Sequence, residues 1–380
     1  MPGMAATATA PLPHSASATA PPDHQIETGA GRLLSLDFFR GLTMILLIAN
    51  GFGIHQAFKD DAAWSGFAAQ FEHMPWIGCS LWDLIQPAFT FIVGVALPLA
   101  WARRSAAGAS PGEIFRHVLG RSVALLVLSN ILMNFNGNGP LRLQFINVLA
   151  QIAFAYVLCA LIYQLPFRAQ VAAAAALIVL HHALFYLWPG PAGPFDPDRN
   201  IGAAIDKAVL GYNYSGRYTT INFLGNAITV LFGVWTGMLF QQNRTHAERM
   251  KILGGCALAS FALGMALSPW IPMVKRLWLG SFTFVSTAWV LAGLMLCYWA
   301  IEMKGWRRWT VAAVVVGTNC IFIYSFSQVL RGWLSRGLGR FTGNFEWIGV
   351  AAPIAQNLLV LSVMWYLCWW LYQRKIFFKL

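Results

Sequence analysis

Long apolar segments recur along this chain, and they constrain its fold more than any other sequence feature. A bilayer core about 30 Å thick is crossed by about 20 apolar residues in a helix. The segments are long, and apolar and polar residues do not alternate along them with a period of two. Both features favour transmembrane helices over a β-barrel. We therefore predict an all-α polytopic membrane protein with about ten transmembrane helices. The segments lie at residues 36–56, 80–102, 117–135, 145–164, 170–188, 221–241, 250–268, 278–301, 310–330 and 347–371.

The composition excludes most soluble classes of protein. Hydrophobic residues make up 58% of the chain and charged residues 11%, whereas soluble domains average about 25% charged residues. The net charge is +12, but the basic residues are scattered through short loops and form no single patch. A cytosolic enzyme, a disordered protein and a nucleic-acid binder are therefore excluded.

The chain divides into a tail and a membrane domain. Residues 1–31 are rich in Ala, Pro, Ser and Thr and lack the basic and apolar regions of a signal peptide. We expect a disordered tail there and a transmembrane domain over 32–380. The six cysteines show no C-x-x-C pairing, and no metal-ligand spacing is present, so we expect neither disulfides nor a metal.

The distribution of basic residues predicts the orientation. With the N-terminus in the cytoplasm, most of the 26 Lys and Arg residues fall in cytoplasmic segments, as the positive-inside rule requires. An even number of spans places the C-terminus on the same side. The loop between the first two spans then lies outside.

Three polar residues gather near that outer loop. Asn50 lies close to the end of the first span, Asp83 begins the second, and His73 lies between them. Polar groups at membrane depth are costly unless they face the bundle interior. A carboxylate that orients an imidazole, with an amide near a developing oxyanion, is suited to acyl transfer.

Simpler interpretations of the same residues remain open at this point. A loop histidine is usually solvated, an Asp in a first turn often interacts with the helix dipole, and an Asn often links helices. Arg40, three residues after Asp37, forms an ion pair on the helix surface or contacts a phosphate. Further polar residues within the spans indicate a polar interior, which fits a transporter as well as an enzyme.

Several sequence blocks resemble one family, the transmembrane acetyltransferases related to heparan-α-glucosaminide N-acetyltransferase. The resemblance covers about residues 32–330, in order and at similar spacing. The departures are Asn147–Gln151, where relatives carry Gly-Val-Leu-Gln-Arg, and Ser327–Gln328, near which relatives carry a histidine. The matching blocks are Arg32–Thr43 with Asn50-Gly51, His73–Gly78, Asp83–Pro87, Phe91–Gly94, Pro272–Phe282 and Gly317–Asn319 before Tyr324.

The resemblance implies a multispan enzyme that takes acetyl groups from cytoplasmic acetyl-CoA and gives them to an amino sugar on the far side. It implies that residues 32–380 form an acyltransferase domain and that His73 is the catalytic residue. It also matches Asn50 to the Asn of the family's first span and Asp83 to the Asp of its D-L-I-x-P block. We expect a bacterial inner-membrane relative without the luminal N-terminal domain, in contact with lipid. The sequence leaves a homodimer open.

Residues for the two substrates complete the prediction. We expect the acetyl-CoA phosphates to contact basic residues at helix ends. The alternatives to the predicted function are an envelope glycan O-acetyltransferase and a transporter of a sugar or an organic anion. The candidates are Arg40, Arg103, Arg104, Arg121 and Asn319 for the donor, and Lys275, Trp278 and Ser281 for the acceptor.

Overall fold

Helices make up most of residues 33–135 and 141–378, which a computed structural model describes. The predicted tail of residues 1–31 lies outside the described residues. The all-α prediction is confirmed, since these two ranges contain helices and no β-strand. The helices are α1 (Leu34–Ile48), α2 (Ile54–Phe58), α3 (Ser65–Ala68), α4 (Ile85–Ala106), α5 (Pro111–Phe135), α6 (Val148–Tyr163), α7 (Phe167–Leu187), α8 (Ile201–Leu210), α9 (Asn222–Gln241), α10 (His246–Leu267), α11 (Gly280–Tyr298), α12 (Val311–Thr318), α13 (Cys320–Thr342) and α14 (Ala352–Gln373).

Over the described ranges, seven helical stretches are long and apolar enough to cross a membrane, or eight if the bent pair α1–α2 is one span. The length and apolar character of the described helices therefore do not confirm the predicted count of about ten transmembrane helices. Two of the predicted segments form shorter apolar helices, Val148–Tyr163 and Arg308–Thr318. Helices α13 and α14 fall within one helical stretch, Cys320–Gln373.

Burial separates central helices from peripheral ones. Most of the apolar windows of α4, α9 and α11 are buried, whereas most of those of α5, α7 and α10 are exposed. On α5, Val123, Val127 and Ile131 are each more than half exposed and recur every four residues. This spacing places them on one face of the helix, as expected for a surface in contact with lipid tails.

Glycines allow the central helices α4 and α9 to approach closely. A Cβ atom at Gly94 would collide with the carbonyl oxygen of Val230, and one at Gly233 would collide with that of Phe91. Small residues permit this kind of backbone contact in membrane bundles, where van der Waals packing drives helix association. The pair forms the centre of the bundle.

The first span is broken, which corrects the predicted helix over 36–56. Helix α1 ends at Ile48, and Asn50 and Phe52 have φ of 52° and 57°. Left-handed residues cannot continue a right-handed helix, so the chain bends by 53° before α2. The predicted span over 310–330 is likewise interrupted at Asn319, between α12 and α13.

One end of the bundle collects the segments that carry polar residues. The chain leaves α1 there, returns into α4 after a long loop, and crosses from α10 to α11. The backbone N–H of Gly78 in that loop donates to the carbonyl of Met273 between α10 and α11, at 2.8 Å. This hydrogen bond brings two distant parts of the sequence together.

Candidate active site

The loop between α1 and α4 brings His73 against Asp83. The His73 Nδ1 lies 2.7 Å from the Asp83 Oδ1. Asp83 sits in the single helical turn that leads into α4 and is 1% exposed, while the His73 side chain is 38% exposed. The carboxylate is therefore buried, and the imidazole it holds remains accessible.

The second carboxylate oxygen of Asp83 is fixed by the loop itself. The backbone N–H groups of Ser80 and Met74 donate to its Oδ2, at 3.2 Å and 3.3 Å. The Ser80 Oγ also lies 3.0 Å from this oxygen. These contacts satisfy a buried charge that would otherwise be costly, and they fix the plane of the carboxylate.

Lys275 completes the cluster from a different part of the chain. Its Nζ lies 3.2 Å from the Asp83 Oδ1 and 3.2 Å from the His73 Nδ1. A carboxylate only accepts hydrogen bonds and an ammonium only donates them. Both Lys275 and the His73 Nδ1–H therefore donate to Asp83. This tautomer leaves the Nε2 lone pair of His73 available as a base or a nucleophile.

Two neighbouring groups have shifted pKa values. Burial lowers the pKa of Lys275 below its ordinary 10.5, although Asp83 acts in the opposite direction. Burial, together with the negative charge of Asp83, raises the pKa of Cys79 to about 12. Since the thiolate is the nucleophile, Cys79 stays a protonated thiol at neutral pH, which leaves His73 as the candidate reactive group of this cluster.

A cavity of about 270 Å³ opens beside the cluster and is lined by both His73 and Lys275. Its walls come from α1, α4, α5, α6 and α13. Among its lining residues, Tyr218 lies in a loop with no motif, so no sequence signal pointed to it. The polar lining residues that the sequence did not identify as site residues are Gln86, Asn147, Tyr218, Tyr324 and Gln328.

Asn50, Trp278 and Ser281 are not among the residues that line this cavity. Asn50 is half-buried in the break after α1, where its left-handed backbone fits an Asn. Trp278 is buried, and its Nε1–H donates to the Thr229 Oγ1 at 3.2 Å. Ser281 is fully buried in α11.

Two residues predicted to contact the donor lie deeper in the bundle than expected. The Arg40 Nη2 donates to the Asp37 Oδ1 at 2.6 Å, near the middle of α1. Asn319 is fully buried. Its Nδ2 donates to the Ile376 carbonyl at 3.1 Å, and its Oδ1 accepts the N–H of Phe378 at 3.0 Å. The Asn319 amide thus binds the backbone that follows α14.

The other predicted donor contacts lie away from His73. Arg103 and Arg104 are exposed in the last turn of α4, about 30 Å along the helix from Asp83 at 1.5 Å per residue. Arg121 is half-buried on α5, with its guanidinium 5.5 Å from the centroid of the Tyr156 ring. Over residues 33–135 and 141–378, no three metal-ligating side chains of His, Cys, Asp or Glu come together.

The fold and the site define a helical membrane protein with an accessible imidazole, a buried carboxylate and a buried amine. Residues 32–192 match the family model "Heparan-alpha-glucosaminide N-acetyltransferase, catalytic". The human heparan-alpha-glucosaminide N-acetyltransferase is 24% identical over 92% of this chain and 60% of its own length. The mouse protein is 24% identical over 94% of this chain and 62% of its own length.

The chain is therefore related to the heparan-alpha-glucosaminide N-acetyltransferase family. It spans about three fifths of the length of these two curated relatives. The region that the family model matches contains His73 and Asp83 but ends before Tyr218 and Lys275. The cluster thus combines residues from within the matched region with one from beyond it.

Proposed function

We propose that this protein is a transmembrane acetyltransferase that moves an acetyl group from cytoplasmic acetyl-CoA to an amino sugar at the periplasmic side of a bacterial inner membrane. The observation that carries the proposal is the 2.7 Å contact between His73 and the buried Asp83, beside a cavity. The relation to a family of N-acetyltransferases supports the same activity.

His73 performs the chemistry in this proposal. Its Nε2 either removes a proton from the sugar amine or attacks the thioester carbonyl. In the second route an N–C bond forms as the C–S bond breaks, and coenzyme A leaves as its thiolate. The amine then displaces the imidazole, and the proton that the amine loses passes by way of Nε2 to the thiolate. Asp83 stabilises the imidazolium that forms in both routes, as the third member of a catalytic triad does.

Lys275 stabilises the developing negative charge on the thioester oxygen. Lys275 lines the cavity together with His73, and a charged donor in a partly dehydrated site stabilises a developing charge more strongly than one in water does. Asn50, which was predicted from the sequence, is the alternative hydrogen-bond donor to this oxygen. The position of Asn50 outside the cavity lining favours Lys275 for this role.

The donor enters from the opposite end of the bundle. Arg103 and Arg104 are exposed at that end, and their charge suits the phosphates of the coenzyme. Arg121 and Arg40 lie deeper, so they contact the donor only where it passes between helices. The thioester then reaches His73 through the interior of the bundle.

Replacement of His73 by alanine tests the proposal. We expect His73→Ala to lower acetyl transfer from labelled acetyl-CoA to glucosamine by about 10²–10⁴-fold, the usual contribution of a general base. Binding of coenzyme A should change little, because the nucleotide lies far from the imidazole. Purified protein in detergent, with product separated by chromatography, provides the measurement.

His55→Ala is the matched control, because His55 lies in the same outer loop and its Nδ1 is 3.3 Å from the Ala68 carbonyl. This variant should retain wild-type transfer. Full activity in His73→Ala would overturn the proposal, and so would transport of the sugar by wild-type protein without any acetylation. A ping-pong pattern would indicate an acetyl-histidine intermediate, and a ternary pattern direct transfer.

A further inference from the structure

A second cavity of about 260 Å³ lies in the outer segment between α7 and α9. Its lining includes Asp198, Asn200, Asn213 and Arg217. Tyr218 lines this cavity as well as the one that contains His73 and Lys275. The two cavities therefore adjoin across one aromatic side chain.

The loop that supplies Asp198 and Asn200 to one wall of the second cavity is held by the carboxylate of Asp196, which is 4% exposed. It accepts hydrogen bonds from the backbone N–H groups of Ala192, Asp198 and Arg199, at 2.9–3.1 Å. The Asn200 Nδ2 donates to the Asp196 carbonyl at 2.8 Å. The wall is thus organised before any ligand binds, which reduces the entropic cost of binding.

The opposite wall is anchored to the bundle. The Asp206 Oδ2 accepts the backbone N–H of Thr220 at 3.0 Å, and the Tyr214 hydroxyl accepts that of Phe145 at 3.1 Å. The Arg276 guanidinium lies 5.7 Å from the centroid of the Tyr218 ring. Since Arg276 follows Lys275 directly, the shared wall is held by the segment that completes the catalytic cluster.

The polar groups of this cavity suit an uncharged ligand. The Arg217 Nε and Nη2 donate to the two carboxylate oxygens of Asp198, at 2.8 Å and 3.1 Å. The two charges cancel, so the lining offers no unpaired cation to a sulfate or a phosphate. Paired charges, amides and two tyrosines instead match the hydroxyl groups and apolar ring faces of a sugar.

We propose that the second cavity is a subsite for the next sugar ring of an oligosaccharide acceptor, with Tyr218 as the wall that the two rings share. The inference rests on the proposed function, and it specifies the acceptor as a glycan of at least two residues. The reacting amino sugar occupies the cavity beside His73. The neighbouring ring, uncharged at this subsite, contacts Arg217 and Asn213.

The test compares glucosamine with glucosaminyl-β-1,4-N-acetylglucosamine, a disaccharide whose second ring is uncharged, as acceptors for the protein. Wild-type protein should acetylate the disaccharide with a kcat/KM at least tenfold higher. Arg217→Ala and, separately, the milder Asn213→Ala should lower this preference about tenfold and threefold, mainly through KM for the disaccharide. Neither substitution alters the residues that contact the reacting amine.

Arg199→Ala is the matched control, because Arg199 is an exposed arginine on the same segment and does not line the cavity. It should keep the wild-type preference. Equal kcat/KM for both acceptors, or an unchanged preference in both cavity variants, would overturn the subsite while acetylation of glucosamine still stood. Failure to acetylate either sugar would overturn the proposed function and the subsite together.

Discussion

At the scale of single residues, Asp83 is the electrostatic centre of the site. One of its oxygens faces both His73 and Lys275, and the other accepts N–H groups from Ser80 and Met74. A buried ion pair adds little stability by itself, but removal of one partner leaves an unpaired buried charge. Each member of this cluster therefore depends on the charge of the others.

Replacement of Asp83 by asparagine removes that charge and keeps the shape. We expect Asp83→Asn to cost about 3–5 kcal/mol of stability, since Lys275 would remain buried without its counter-ion. Transfer should fall at least a hundredfold because the imidazolium loses its support. Thermal unfolding in detergent and kcat/KM measure the two effects.

The double variant Asp83→Asn with Lys275→Met separates the two effects. It should recover most of the lost stability, because no unpaired charge remains buried, while transfer stays low. An Asp83→Asn protein as stable as the wild type would contradict this account of the cluster.

We expect Lys275 to make the proposed activity dependent on pH. Because burial lowers the pKa of Lys275, its ammonium loses the proton at a lower pH than an ordinary lysine does. In the proposed mechanism the ammonium stabilises the thioester oxygen, so kcat/KM should fall on an alkaline limb that lies below pH 10.5, the ordinary pKa of lysine. The pH–rate profile of Lys275→Arg should show this limb shifted upward, because a guanidinium stays charged. The same limb in both proteins would assign it to another group.

The proximity of His73 and Asp83 follows from local sequence, because the two residues are only 10 positions apart. Lys275, 202 residues after His73, appeared in the sequence only through a family motif, and no periodic pattern reports a contact over such a separation. Tyr218 had no signal at all. The predicted place of Asn50 beside His73 assumed a continuous helix, which the left-handed turn at Asn50 interrupts.

At the scale of elements, the contact between α4 and α9 sets how closely the central helices pack. Gly94 and Gly233 face each other's backbones there, and Gly237 approaches the carbonyl of Val95. Since backbone atoms cannot rotate away as side chains do, a larger residue at these positions must push the helices apart.

A methyl group at this contact should therefore destabilise the bundle. We expect Gly233→Ala to cost about 1–3 kcal/mol, the usual penalty of overpacking. Gly255→Ala on α10 is the control, because no atom lies within 4 Å of the added Cβ. Removal of a glycine from a helix interior should stabilise it by about 0.5–1 kcal/mol. Opposite shifts in unfolding temperature are the expected result.

Hydrophobic periodicity and length predicted which segments are helical but not where they break. The apolar character of the chain continues through the breaks at Asn50 and Asn319. Hydrophobicity alone therefore predicts one continuous helix at each of these places. The breaks depend on backbone conformation and on long-range contacts such as the one between Asn319 and Phe378. Single-sequence patterns do not contain that information.

At the scale of the whole molecule, the proposed reaction requires two ends that face different compartments. The cluster of His73 lies at one end of α4, and Arg103 and Arg104 lie at the other. The helix is 22 residues long, which corresponds to about 33 Å at 1.5 Å per residue and suffices to cross a bilayer.

Labelling of single cysteines tests this orientation. In a variant without the native cysteines, Ala62→Cys in the loop of His73 should react with a membrane-impermeant maleimide in spheroplasts. Ala107→Cys, which follows α4, should react only after the membrane is permeabilised. Both positions are exposed, so access to the reagent decides the result. The reverse pattern would place the imidazole in the cytoplasm.

The ion pair of Asp83 and Lys275 joins two stretches of chain that are separated by the segment between α7 and α9. A gene split within that segment would yield one fragment with the imidazole and the carboxylate, and another with the amine. Neither fragment alone carries the complete site. Co-expression should restore acetylation only if the fragments reassemble in the same membrane, so complementation would directly measure how the two halves recognise each other.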